Sequence, residues 1–362
     1  MAATQIEGEK KYIDALLKLV LKPNSAASVL PVLASLSSEQ QTEFAALADS
    51  NHVVIRAFEV INRIAGNQGH QRLQAWAVEV LTTERLRIHK ALNYLHEICN
   101  VLEEAGCPVV VMKSLDHWPD LGNDLDLFST GERSEIVRVL TGQFNARIEA
   151  RSWGDRIANK SNFSIPGLRE SIEMHVGRLG QMGEHIGLAY RFVDRRLIAK
   201  FDGHPFYVPA PEERIVAATL QRMYRHFYFR ICDIANMASL VDSGGVDFGE
   251  LFKAAHQAGI WPGVASLLKI VSDYVQQYRG VPLALPANIT ADAALGGDKT
   301  YAREKFLRVP ILPYGARLYT RQLTHTAFQG NMPAAFRLTL LPPLASAAAV
   351  AAKLTGSDKG VW

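Results

Sequence analysis

Between residues 124 and 128 two aspartates alternate with two leucines ahead of a phenylalanine, Asp124-Leu-Asp-Leu-Phe128. No other stretch constrains the fold as strongly. In an extended strand successive side chains point to opposite faces, so Leu125 and Leu127 enter a core while Asp124 and Asp126 stand together on the other face. Neighbouring carboxylates raise one another's pKa and destabilise a fold unless positive charge lies between them. A hard divalent cation taking oxygen ligands is the usual remedy. The run therefore predicts a strand with one metal-binding face.

The flanking sequence supplies what such a strand needs. Pro108-Val-Val-Val-Met112, preceded by Gly106 and Cys107, reads as a short buried strand. It runs into Lys113-Ser114, where a small residue opening a helix would offer free backbone N–H groups to a phosphate, with Lys113 adding charge and Ser114 a hydroxyl. Downstream, residues 131–140 read as a helix, and 144–150 and 157–165 as strands. Ser171-Ile-Glu-Met-His-Val176 reads as a strand with Glu173 and His175 on one face. Glu173 is the candidate third carboxylate, as a metal ligand or as the group orienting an acceptor hydroxyl, with His175 beside it. Asp-x-Asp alone can merely cap a turn; its weight here comes from the ordered conjunction of strand, Lys-Ser turn, paired acids and a later acidic strand.

The rest of the chain is helical in character. Apolar residues recur at three- and four-residue steps over residues 10–104, with Ser38 and Gln41 forming a capping-box pattern ahead of Phe44 and Leu47, and a break at residues 67–69. After residue 188 the periodicity returns, and Pro211-Glu-Glu has the composition of a helix start. Residues 280–297 read as a surface loop. The apolar stretch 338–354, interrupted by Pro342 and Pro343, reads as a packed terminal helix too short to span a bilayer. The expected organisation is α+β: a helical region over 1–105, a small mixed sheet over 106–187, and a second helical region over 188–362. His226 and Asp233, seven apart, are expected on one helix with Arg222 and Arg230 nearby, which makes His226 and Arg230 candidate substrate contacts.

Composition excludes several classes. A 48% hydrophobic content over 362 residues allows a large core, and a formal charge of +3 gives no general attraction for nucleic acid. Three widely spaced cysteines without a CxxC pair argue against a disulfide framework and a zinc site. The polar start of the chain lacks a secretory signal, so a cytoplasmic protein is expected.

The segment Met112-Lys-Ser-Leu-Asp-His-Trp-Pro-Asp-Leu-Gly-Asn-Asp-Leu-Asp-Leu-Phe128 resembles the nucleotidyltransferase superfamily of the DNA polymerase β type. More narrowly, it resembles the bacterial group called nucleotidyltransferase family 5. The later Ile172-Glu-Met-His175 strand, the Pro211-Glu-Glu helix start, and His226 and Asp233 match the same group, so the resemblance spans about residues 106–240. It implies a nucleotidyltransferase in which Asp124, Asp126 and Glu173 hold Mg2+ or Mn2+. Lys113, Ser114, His175, His226 and Arg230 would contact a nucleoside triphosphate, and a nucleotide would pass to a hydroxyl of an unspecified acceptor: a small molecule, sugar, peptide or protein before a transfer RNA. Ser114 stands where the family turn carries glycine. That departure keeps two alternatives in view, a nucleotide-binding protein without turnover and a toxin-like transferase acting on transfer RNA.

Overall fold

The computed structural model describes residues 2–355. Five helices come first: α1 (Ala2–Leu21), α2 (Leu30–Ala34), α3 (Ser38–Ser50), α4 (Val54–Asn67) and the long α5 (Gln71–Glu104). Their apolar stripes close on one another, with Leu16, Leu33, Phe44, Phe58, Ile61 and Leu92 almost completely buried. The capping box at the start of α3 is formed by Ser37 and Gln40, one residue earlier than the sequence pattern suggests. Two serines and two glutamines in succession satisfy the motif in either register, and only the backbone chooses. The predicted break before α5 is present, with Gly69 at φ 73°.

The chain then builds a five-stranded sheet. Its strands are β1 (Val109–Val111), β2 (Asp124–Ser129), β3 (Arg147–Ile148), β4 (Lys160–Ser164) and β5 (Ser171–Val176), in the order β1-β2-β5-β4-β3. β2 and β5 run parallel at the centre and every other pairing is antiparallel, so the sheet is mixed. The parallel pair needs a crossover, which carries α6 (Arg133–Phe144), α7 (Trp153–Ile157), β3 and β4. The alternation in β2 and β5 resolves as expected: Leu125, Leu127, Ile172 and Met174 are completely buried. Strand β3 is only two residues long, against the seven expected over 144–150, because α6 runs on to Phe144 and Asn145 turns the chain in the left-handed region. The first residues of the stretch 157–165 belong instead to the end of α7.

The region after residue 188 is less uniformly helical than its periodicity suggests. After α8 (Ile186–Asp194) comes a hairpin of β6 (Leu197–Phe201) and β7 (His204–Val208), followed by α9 (Pro211–Gln221), which opens with proline in its first turn. Helix α9 passes into a π-helical turn at Arg222–His226. Phe227 then adopts the left-handed conformation, β8 (Tyr228–Phe229) follows, and α10 (Ile231–Asp242) begins. His226 and Asp233 are therefore not two turns apart on one helix. Helices α11 (Phe248–Gln257), α12 (Trp261–Arg279) and α13 (Ala287–Asp292) come next, the last lying inside the stretch expected to be loop. Strands β9 (Tyr301–Arg303) and β10 (Phe306–Arg308) return to pair with β8. The chain ends in α14 (Ala316–Phe328), α15 (Met332–Thr339) and α16 (Leu341–Thr355). The terminal stretch is helical but not packed as expected: Leu338 is buried, while Val350 and Leu354 are 56% and 79% exposed. Among the described residues no helix is long and apolar enough to cross a membrane.

Candidate functional site

The sheet register assembles the site. Asp126 on β2 pairs with Glu173 on β5, and Phe128 pairs with His175; across the next interface Asn162 of β4 pairs with Glu173 and Lys160 with His175. Paired residues share a face, so Asp126, Glu173, His175 and Lys160 converge opposite the apolar layer. One oxygen each from Asp126 and Glu173 and a ring nitrogen of His175 lie within 4.8 Å of one another. His175 Nε2 is 2.7 Å from Glu173 Oε1 and 3.9 Å from Asp126 Oδ1.

Two lysines reach these acids from opposite flanks. Lys113 Nζ lies 2.6 Å from Asp126 Oδ1, and Lys160 Nζ lies 2.6 Å from Glu173 Oε2. Burial by itself would raise the pKa of Glu173, but the hydrogen bond to His175 and the charges of His175, Lys113 and Lys160 hold it well below the usual carboxylate range. Asp124 stands at the exposed start of β2, outside the three-residue cluster. Its pKa is raised, by loss of solvent around the carboxyl and by the negative charge of Asp126 and Glu173.

The cluster fits a divalent cation. Two carboxylates and an imidazole converge, and the three acids of this face meet two lysines, which leaves negative charge in excess. Asp126, Glu173 and His175 are the residues that would hold an ion, with Asp124 at the margin.

On the β1 flank, the Lys113-Ser114 turn is unlike the expected phosphate cradle. Lys113 sits at φ 64°, ψ −47°, the centre of a tight γ-turn in which the Ser114 N–H donates to Met112 O at 2.7 Å. Ser114 is 1% exposed. Its hydroxyl accepts from the Asp126 N–H at 2.7 Å and lies 3.2 Å from Asp124 O, so it clasps the edge of β2. The backbone N–H and the hydroxyl expected to meet an anion are thus engaged within the fold, while the Lys113 side chain does face the acids. The loop beyond is equally tied down. His117 Nδ1 meets the Asn236 amide at 2.8 Å, and Asp120 accepts from the N–H groups of Ile55 and Arg56 at 2.6 and 3.3 Å, capping α4 from a distant segment.

On the β4 flank a pocket of about 330 Å3 opens beside the carboxylates. It is lined by Lys160 and His175, by Asp155 and Gln181, and by Arg225 and His226 of the π-helical turn. His226 therefore lines this pocket, on the same side as His175. Burial and the positive charges of Arg225, Arg222, Lys113 and Arg230 push its pKa down to about 2. Arg225 is half-buried and has no hydrogen-bond or ion-pair partner among the described residues. Arg230 does not line this pocket. Its N–H donates to Asp233 Oδ2 at 2.7 Å in the capping box of α10, and its guanidinium lies over Phe306. Asp233 also meets the buried Arg222 at 2.7 Å, which makes it a structural partner.

Sequence reasoning passed over Lys160, Asp155, Gln181 and Arg225. Lys160 had a legible signal, since Lys160 and Asn162 alternate with apolar or small residues ahead of the Glu173 strand. Arg225 had none, because its position depends on the π-helical turn.

No family model matches the sequence, and no curated protein matches it. Among solved structures, the chain is similar to the antibiotic-resistance factor ANT(2'')-Ia at 15% identity and a TM-score of 0.34, covering 49% of this chain and 92% of that one. It is similar to an antigenic nucleotidyltransferase-like protein from Paracoccidioides brasiliensis at 16% identity and a TM-score of 0.32, covering 50% and 93%. A tRNA-processing enzyme in an apo form aligns at 10% identity and a TM-score of 0.27, covering 52% and 55%. Likeness at this level decides neither substrate nor chemistry.

Proposed function

We propose that the protein is a metal-dependent nucleotidyltransferase that moves a nucleoside monophosphate from a triphosphate to an acceptor hydroxyl. The observation that carries this reading is the β2–β5 register, which brings donor atoms of Asp126, Glu173 and His175 within 4.8 Å of one another on the polar face of the sheet. A bound divalent cation would neutralise the triphosphate and make the acceptor hydroxyl more acidic. Lys113 supplies positive charge for the leaving pyrophosphate, on the flank where it now meets Asp126. His175, fixed by Glu173, would serve as a ligand to the ion, and the hydroxyl proton would pass to solvent as the acceptor oxygen bonds to the α-phosphorus and the bond to pyrophosphate breaks. Lys160 keeps Glu173 ionised and oriented. An imidazole in the donor set favours Mn2+ over Mg2+, which prefers an all-oxygen shell.

The test is transfer of label from α-labelled nucleoside triphosphates in cell extract with Mg2+ or Mn2+. Labelled product that disappears in Asp126→Asn and Glu173→Gln supports the reading; label transfer that survives both substitutions removes it. One observation favours a second reading, a nucleotide-binding protein without turnover: Lys113 and Lys160 already offset Asp126 and Glu173 without an ion. That reading expects triphosphate binding unaffected by chelator and no labelled product.

A further inference from the structure

The two flanks of the carboxylates differ in what they leave unpaired. An in-line displacement puts the attacking and leaving oxygens on opposite sides of the phosphorus. With the pyrophosphate on the Lys113 flank, the acceptor must approach from the β4 flank, where a pocket of about 330 Å3 opens beside His175.

We propose that the acceptor is a small hydroxylated anion whose phosphate or carboxylate is held by Arg225. This rests on the nucleotidyl-transfer reading above. Arg225 lines the pocket with no counter-charge among the described residues, so its guanidinium is available to a ligand anion. Lys160 also lines the pocket, but its ammonium is already shared by Glu173 at 2.6 Å and Asp155 at 3.8 Å, so Arg225 is the cation left for a ligand. His226 stays neutral because of burial and the surrounding positive charge, so it is available to accept or donate a single hydrogen bond. The one acid of the lining, Asp155, is already engaged: its Oδ2 accepts from the Ser152 N–H and hydroxyl at 3.0 and 2.8 Å. An amine-bearing acceptor would meet repulsion here. The volume lies at the lower end for small-molecule sites, and Gly154, Ala158 and Gly180 offer little apolar surface, which suits a small hydrophilic metabolite rather than a peptide or nucleic acid.

The test loads the protein with Mn2+ and α,β-methylene ATP, which cannot release pyrophosphate, and titrates inorganic phosphate by calorimetry. Phosphate is expected to bind, and Arg225→Gln is expected to weaken it by roughly tenfold or more with nucleotide affinity unchanged, while Arg225→Lys retains most of the binding. Glycerol 3-phosphate and glycerate, run in parallel, decide between phosphate and carboxylate, with glycerol and glucosamine as neutral and cationic controls. The proposal is overturned if phosphate binds wild type and Arg225→Gln equally, if it does not bind wild type, or if glycerol or glucosamine binds as well as the anions. Parallel loss of nucleotide affinity in Arg225→Gln also overturns it, since the pocket would then belong to the donor. Failure of the nucleotide analogue to bind removes the nucleotidyl-transfer reading instead, and the same phosphate titration without nucleotide then decides the anion pocket on its own.

Discussion

The β1 flank and the β4 flank of the carboxylates are built from similar residue types and reach opposite states. On the β1 side, Ser114, His117 and Asp120 are buried and each has partners within the fold. On the β4 side, Arg225 and Gln181 face a pocket with none among the described residues. Ser114, His117 and Asp120 therefore hold the loop after β1 to the fold, while Arg225 and Gln181 keep polar groups open to the pocket. Ser114 fits this division. Its hydroxyl accepts a strand-edge hydrogen bond from the Asp126 N–H that no glycine there could accept.

The comparison can be broken at several points. The largest expected effect is on the shared face: Asp126→Asn should lower label transfer by about 10³-fold, roughly 4 kcal/mol in the barrier, with the melting temperature little changed. Retained activity would show that the acids are structural on both sides. Next is the cap on α4, where Asp120→Ala leaves two helix N–H groups without their acceptor and should cost about 2–3 kcal/mol in denaturant unfolding. Ser114→Ala should cost about 2 kcal/mol by the same measurement, since it strips a buried backbone N–H of its partner. If it instead leaves stability intact and weakens triphosphate binding, the Ser114 hydroxyl meets the phosphates alongside Lys113.

Asp120 also gives the scaffold side a pH signature. Burial, opposed by Arg56 and the two N–H groups, pushes its pKa up to about 7, above the value near 3.9 expected in an unfolded chain. The folded form then holds the proton more tightly, so this contribution to stability is fully present below about pH 4 and is lost as pH rises through about 7. Asp120→Asn should flatten that part of the stability–pH curve; an unchanged curve would mean that the helix end keeps the carboxylate ionised throughout. The smallest effect belongs to the open flank: Arg225→Gln should alter stability by no more than about 0.5 kcal/mol, because no partner is lost.

The parts of the fold governed by local alternation were legible. The bounds of β5 were read as they stand, those of β2 to within one residue, and the proline start of α9 directly. What escaped depended on the backbone turning at a single residue. Asn145, in the left-handed region, ends α6 beyond the expected residue 140, and Phe227, likewise left-handed, ends a π-helical turn where side-chain periodicity alone would run on. The second of these separates His226 from Asp233 and brings Arg225 to the pocket. The turn at Lys113 escaped for the same reason, since nothing in Met112-Lys-Ser114 announces a positive φ. Identity of the acids was visible in sequence; which cations and which free surface surround them depended on chain segments far away.

The parallel pairing of β2 with β5 has an engineering consequence. Carboxylate spacing is set by the register Asp126 to Glu173 and not by the length of chain joining the strands. Loop insertions between residues 130 and 170 that spare α6, α7 and β4 should leave catalytic distances intact. One extra residue immediately before Ile172, with the start of β5 held in place, would put Ile172 opposite Asp126 and turn Glu173 to the apolar face, parting the acids without touching a single one of their chemical groups.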